Sequence, residues 1–291
     1  MQNRGASALL SRMGVRIFMK TTKRLSLLQC LLPLPVGIVL GLHRGLGAPG
    51  GAALAIVGAA AAVILLGCSI GALRFTKKHG LAPAKPDKLS FALLAAGGVL
   101  FLLAGGLFLL FPTGSSQAIR MVTAAFAFLC GICTFARLRD RDGGSAAAQL
   151  SLAPVFFQSF YLLVFYRANG DNPYLGQFGY EIAVFALVLL GLYCTVCGRY
   201  EDDRPLFRTW SLSAALAGIV QELLFFGIHG QSPLTLKGFG LGTLALLAAQ
   251  GCLMVNALFF PPEKLSPPPE KADPEEEDPE AEEPENSPSQ D

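Results

Sequence analysis

Eight long apolar stretches run through most of this 291-residue chain and constrain its fold more than any other feature. A helix needs about 20 mostly apolar residues to cross roughly 30 Å of hydrocarbon. The stretches are apolar on every side, whereas the strands of a membrane barrel alternate apolar and polar residues. The sequence therefore predicts an all-α polytopic membrane protein, an eight-helix transmembrane bundle. The predicted spans are residues 25–42, 51–73, 89–111, 119–135, 147–166, 178–196, 209–228 and 239–260.

The distribution of positive charge gives an independent prediction of topology. Only 15% of the residues are charged, against roughly 25% in a soluble domain. If the N-terminus is cytoplasmic, 19 of the 23 Lys and Arg residues fall in cytoplasmic segments. Only Arg44, Arg120, Arg167 and Lys237 fall outside. Cytoplasmic loops carry such an excess of Lys and Arg, so both termini are predicted to be cytoplasmic.

The two ends of the chain differ sharply in charge and divide it into three regions: an arm at 1–24, a transmembrane domain at 25–260 and a tail at 261–291. The arm has six basic residues and no acid, as in a juxtamembrane segment on an anionic leaflet or a transit peptide. Translation from Met13 or Met19 would shorten it. The tail holds twelve acids and two lysines among repeated prolines. It is predicted to be disordered, either simply solvated or docked on a basic protein partner.

Polar side chains inside the spans are candidates for function, because they are costly in hydrocarbon. Glu222 lies in the seventh span and Glu181 near the outer end of the sixth. Two carboxylates with a nearby imidazole could form an outward-facing pocket for a substrate or ion. The alternative is that a protonated Glu222 only hydrogen-bonds a neighbouring helix. The candidate pocket residues are Glu222, Glu181, His229, Gln221, Gln158 and Gln250.

The cysteines form a second pattern, with two C-x-x-C pairs. The pairs are Cys130 with Cys133 and Cys194 with Cys197. Both are predicted near the cytoplasmic face, where four thiolates could hold a soft metal or form a redox couple. The alternative is that these small apolar side chains only pack in the bundle. None of the seven cysteines falls in an external segment, so free thiols are expected.

Small residues and prolines in the spans predict how the helices pack. Four pairs at helical spacing would allow close approach within the bundle or in a homo-oligomer. Prolines in the first and fifth spans are expected to bend those helices. The pairs are Gly37/Gly41, Gly58/Ala62, Gly67/Gly71 and Gly98/Gly105, and the prolines are Pro33, Pro35 and Pro154.

One segment, residues 160–200, carries a loose motif: Phe160, Tyr166-Arg167, Asn172-Pro173, Tyr180-Glu181 and Tyr193. Its layout resembles a group of uncharacterised multi-pass membrane proteins of anaerobic Gram-positive bacteria. The resemblance implies a bacterial cytoplasmic membrane location and no known activity. It would also place Arg167 beside Glu181 at the outer mouth of spans five and six, which would make Glu181 structural.

Motifs of common enzyme classes are missing from the sequence. It has no phosphate-binding loop, no H-E-x-x-H and no nucleophile elbow, and no basic domain for nucleic acid. The expectation is a non-enzymatic scaffold or regulatory component of the membrane without a cofactor, with the lipid bilayer as its main partner. The alternatives are a small-solute or ion transporter that uses Glu222 and a thiol-based metal or redox protein.

Overall fold

The computed structural model describes residues 29–45, 51–78, 87–111, 117–139, 145–169, 175–198, 204–229 and 240–261. These residues form nine helical segments and no strand, which confirms the predicted all-α class. The helices are α1 (Pro33–Gly45), α2 (Gly51–Lys78), α3 (Lys88–Leu110), α4 (Gln117–Arg139), α5 (Ser145–Leu150), α6 (Leu152–Asn169), α7 (Leu175–Cys197), α8 (Pro205–His229) and α9 (Gly240–Phe259). Residues 1–28 and 262–291, which include the basic arm and almost all of the acidic tail, lie outside the described part.

Five of these helices are long and apolar enough to cross a membrane. Three further apolar helices are shorter, so that every predicted span coincides with an apolar helix. The five are Ile56–Phe75, Lys88–Leu110, Gln117–Arg139, Pro205–Ile228 and Gly240–Phe259, and the shorter ones are Gln29–Arg44, Leu152–Arg167 and Glu181–Cys197.

A six-helix core is formed by α3, α4, α6, α7, α8 and α9. Its centre is aromatic and aliphatic, with Phe101, Phe157, Leu246 and Met254 fully buried. Helix α3 packs on both α4 and α9, and α7 packs on α8. These contacts bury the polar groups of the core helices as well, so each polar group there needs a partner within the bundle.

Helices α1 and α2 lie at the edge of this core. Their main neighbour is α8, and a small second cluster of Leu65, Ala214 and Ala217 joins α2 to it. Trp210 of α8 also donates a hydrogen bond from Nε1 to the carbonyl oxygen of Ala62, at 3.4 Å. Much of the apolar surface of both helices stays exposed, as expected of side chains that face lipid. The exposed large residues on them include Leu34, Ile38, Val39, Ile56, Val63 and Ile64.

The relative directions of the helices follow from pairs of close contacts. Gly37 of α1 lies against Ala217 of α8, and Gly41 lies further along against Leu224, so these two helices run parallel. In contrast, Gly218 of α8 lies against Val184 of α7 while Gly191 lies against Ala215, so that pair is antiparallel. The same reasoning makes α4 and α9 antiparallel to α3, and α9 antiparallel to α8. Helix α6 is antiparallel to α9 as well, because Gln158 bonds to Gln250 while Tyr161 bonds to Thr243. Consecutive core helices thus alternate in direction.

The predicted close approach at glycine within the bundle is confirmed on α1 and α3 but is not seen at the glycines of α2. A Cβ atom on Gly98 or Gly105 of α3 would lie 2.9–3.0 Å from the ring of Phe135 or Phe128. On α2, by contrast, a Cβ on Gly58, Gly67 or Gly71 would meet nothing within 4 Å. Small residues permit a close neighbour but do not supply one, and within the described residues no side chain or backbone packs closely on these three glycines.

The fifth predicted span, 147–166, is divided by a turn at Ser151 into α5 and α6. Pro154 lies three residues further on, where it has no N–H for the preceding turn and its ring crowds the carbonyl four residues back. A turn also occurs at Leu32, directly before Pro33, where α1 begins. The sequence predicted bends at these prolines; the structure has turns next to Pro33 and Pro154, whereas Pro35 lies within α1 without a turn.

Candidate functional site

Helix α1 brings a positive charge into the bundle. Two glycines on one face, Gly37 and Gly41, let its backbone pack directly against α8: a Cβ on Gly37 would lie only 2.5 Å from the carbonyl oxygen of Ala217. Arg44 is the next-to-last residue of this helix. Because the backbones are so close, the arginine side chain can reach the carboxylates on α8 and α7.

The site is an arginine held by two carboxylates from two other helices. Arg44 donates from Nη1 to Oε1 of Glu222 at 2.6 Å, and from Nη2 to Oε1 of Glu181. The Cζ atom of Arg44 also lies 4.1 Å from the centre of the Phe225 ring. The side chains of Arg44, Glu181 and Glu222 are only 8%, 2% and 1% exposed. These three residues are called the charge cluster below.

Burial makes this cluster important for the stability of the fold. Removing charged groups from water is costly, and only good geometry with direct hydrogen bonds offsets that cost. Arginine suits the task because its planar head offers several donors in fixed directions and can also stack on an aromatic ring. The charge cluster thus joins three helices through one side chain, and removal of Arg44 would leave two buried carboxylates without their cation.

The predicted pocket residues are only partly brought together. Glu181 and Glu222 do share one site, as the pocket hypothesis expected. The guanidinium of Arg44 lies between them. Arg44 was not among the predicted pocket residues, because the predicted topology places it in an outer loop. The ion pair suggested between Arg167 and Glu181 is not the pair that the structure shows. Arg167 is exposed near the end of α6, while Glu181 bonds to Arg44.

The glutamines form a second polar group, about one helical turn further along α7 than Glu181. Gln158 donates from Nε2 to the carbonyl oxygen of Phe185 at 3.0 Å, and Gln250 donates from Nε2 to Oε1 of Gln158 at 2.7 Å. Both amides are fully buried. Nearby on the same helices, the hydroxyls of Tyr161 and Thr243 share a hydrogen bond of 2.6 Å. These bonds tie α6, α7 and α9 together in the way expected of polar groups between membrane helices.

The other two pocket candidates add little to either group. Gln221 is buried on α8 beside Glu222, and its backbone carbonyl oxygen would lie 3.1 Å from a Cβ added to Gly41. His229 ends α8, but its side chain lies outside the described residues. Among the described residues, four of the six pocket candidates therefore belong to the charge cluster or to the glutamine group.

The C-x-x-C cysteines are all within the described part of the chain, and none of the seven cysteines, all of them described, forms a disulfide. Cys130, Cys133 and Cys194 are buried, and Cys197 is half-buried. Across the described ranges, no three side chains of His, Cys, Asp or Glu come together in a group that could hold a metal ion. The four thiols of the two pairs are thus not gathered into a metal site.

Comparisons of this chain with protein-family models, curated proteins and solved structures found no match. The fold and the site alone define the class: an all-helical protein with five helices able to cross a membrane and a buried arginine–carboxylate cluster.

Proposed function

We propose that this chain is a multi-pass integral membrane protein of eight spans that acts without catalysing a reaction, as a scaffold or regulatory component of a bacterial cytoplasmic membrane. The observation that carries the proposal is the charge cluster. Its carboxylates already hold a cation supplied by the chain, and this ion pairing fixes the first helix to the core. Because an arginine of the same chain occupies both carboxylates, and removing one partner of a buried ion pair destabilises a fold, the cluster favours a structural role over an open substrate pocket.

Two features support eight spans with both ends in the cytoplasm. The helix directions alternate through the core, with α1 parallel to α8 as an alternating path requires. The segments assigned to the cytoplasm carry 19 of the 23 positive residues. In this topology Arg44, Glu181 and Glu222 all lie in the outer half of the bundle, since α1 and α8 end outside and α7 begins there.

A second candidate function, a carrier for a small cationic solute, is favoured by one observation. Glu181 and Glu222 both belong to core helices, whereas the arginine that they hold comes from a helix at the edge. A solute cation could replace Arg44 between them without rearranging the core.

Cysteine labelling tests the topology and separates these two functions. We expect single cysteines, placed in turn in the seven segments between the eight apolar helices of a variant without native cysteines, to react alternately with a membrane-impermeant maleimide from outside. The segment after α1 should react and the next one should not, because α1 is predicted to end outside. Glu222→Cys should be labelled much more slowly than Ile228→Cys on the same helix, because position 222 is only 1% exposed and position 228 is 45% exposed.

Other labelling patterns have clear meanings. Two adjacent segments on the same side would contradict eight spans. Ready labelling of Glu222→Cys from outside would favour the carrier over the structural role.

A further inference from the structure

The charge cluster has the form of a recognition site for a guanidinium group. Three core residues surround that group: Glu181 on α7, with Glu222 and Phe225 one turn apart on α8. These three residues are called the cage below. Two carboxylates each accept an N–H from a different nitrogen of the same planar head, and the ring of Phe225 contacts its face. The cage therefore combines charge-assisted hydrogen bonds with a cation–π contact.

The occupant and the cage belong to different parts of the protein. The cage residues lie on helices with well-buried core faces, while Arg44 is one residue from the end of the edge helix α1. The described bonds and the ring contact all involve the guanidinium head of Arg44, at the tip of a long flexible side chain. That side chain can withdraw by rotation about its own bonds, while the glycine face of α1 stays packed on α8.

The geometry of the cage also selects among cations. A hard metal ion prefers six or more oxygen ligands, whereas the cage, as defined by the described residues, presents two carboxylates and an aromatic ring. An ammonium group is a compact and strongly hydrated charge, whereas guanidinium is planar, weakly hydrated and matched to two acceptors at once. The ring face adds attraction for a flat cation in contact with it.

We propose that the cage is a binding site for small molecules with a guanidinium head, and that Arg44 is its resident, exchangeable occupant. Such a ligand enters from the outer side and takes the place of the arginine side chain. The chain thus competes with its own ligand, which keeps the two buried carboxylates compensated when no ligand is present. This inference goes beyond the proposed structural role and does not require that the ligand is transported.

Methylguanidinium is a suitable probe, tested on the wild-type chain and on Arg44→Ala purified in detergent. For Arg44→Ala we expect a saturable rise in melting temperature of about 5 °C or more, because a ligand that binds only the folded state stabilises it. Methylammonium and tetramethylammonium at equal ionic strength are matched controls and should give much smaller shifts. Adding Glu181→Gln and Glu222→Gln to Arg44→Ala should abolish the effect of methylguanidinium.

The wild-type chain tests whether Arg44 exchanges. We expect labelled methylguanidinium to bind it saturably but at least tenfold more weakly than Arg44→Ala, and Glu222→Gln to remove this binding. If methylguanidinium stabilised Arg44→Ala but did not bind saturably to the wild type, the proposal would be overturned, since Arg44 would then be a fixed structural residue. If Arg44→Ala does not fold, the wild-type measurement decides by itself. If methylguanidinium bound neither the wild type nor Arg44→Ala while the cysteine labelling alternated as expected, this site would be contradicted and the eight-span proposal would stand.

Discussion

Replacing Arg44 with methionine is expected to lower the free energy of unfolding by about 3–5 kcal/mol, the usual cost of removing one partner from a buried ion pair. The change leaves Glu181 and Glu222, each no more than 2% exposed, without the guanidinium that now compensates them. Methionine retains much of the length of the arginine stem, so the loss reports mainly on charge. Titration of the purified protein with SDS in mixed micelles measures the effect.

Two matched variants isolate the contribution of the charge cluster. Arg167→Met removes an exposed arginine and should change stability by less than about 0.5 kcal/mol, as surface substitutions usually do. Arg44→Met combined with Glu181→Gln and Glu222→Gln should recover most of the loss, since it leaves no buried charge unpaired. Equal effects of Arg44→Met and Arg167→Met would show that the cluster does not stabilise the fold.

Gly37→Ala has the second largest expected effect. The new Cβ would lie 2.5 Å from the carbonyl oxygen of Ala217 and 2.7 Å from the Cβ of Val220. Neither atom is the far end of a flexible side chain, so α1 must move away from α8. We expect a loss of about 1–3 kcal/mol or more, which is typical of overpacking, measured by the same SDS titration.

Gly67→Ala is the matched control, because the same methyl group on α2 would meet nothing within 4 Å. Alanine also favours a helix over glycine by roughly 1 kcal/mol, so Gly67→Ala should be neutral or slightly stabilising. If the two substitutions had similar effects, the close packing of α1 on α8 would be wrong. The bonds from Arg44 to the carboxylates depend on that packing.

Hydropathy could predict the apolar helices because the requirement for internal hydrogen bonding and length acts on each segment by itself. A distortion of the fifth span near Pro154 could be predicted for the same reason, because proline acts on its own helix. Glycine patterns were less informative. The pairs on α1 and α3 meet α8 and α4, but the glycines on α2 have no close neighbour among the described residues, because the sequence of one helix does not indicate whether another helix lies beside it.

The charge cluster was only half predictable for the same reason. Two acids in apolar stretches are expensive wherever they lie, so Glu181 and Glu222 were identified as candidates. Their partner depended on which helices pack together across 137 and 178 residues of sequence. A signal was present: Arg44 directly follows the Gly37/Gly41 face, so a close neighbour of that face would also meet the arginine. Gln158 and Gln250 were identified by their depth, but their bond to each other depends equally on the packing.

The parallel packing of α1 on α8 is the basis of the whole arrangement, and one disulfide measurement tests it directly. A Cβ on Gly41 would lie 3.2 Å from the Cβ of Leu224, close to the separation found in disulfides, about 3.5–4.5 Å. In a variant without native cysteines, Gly41→Cys with Leu224→Cys should therefore cross-link rapidly under mild oxidation. Gly41→Cys with Ala214→Cys, roughly 15 Å deeper along α8, should not. Cross-linking of the Ala214 pair in preference to the Leu224 pair would contradict the parallel arrangement and the arginine site that depends on it.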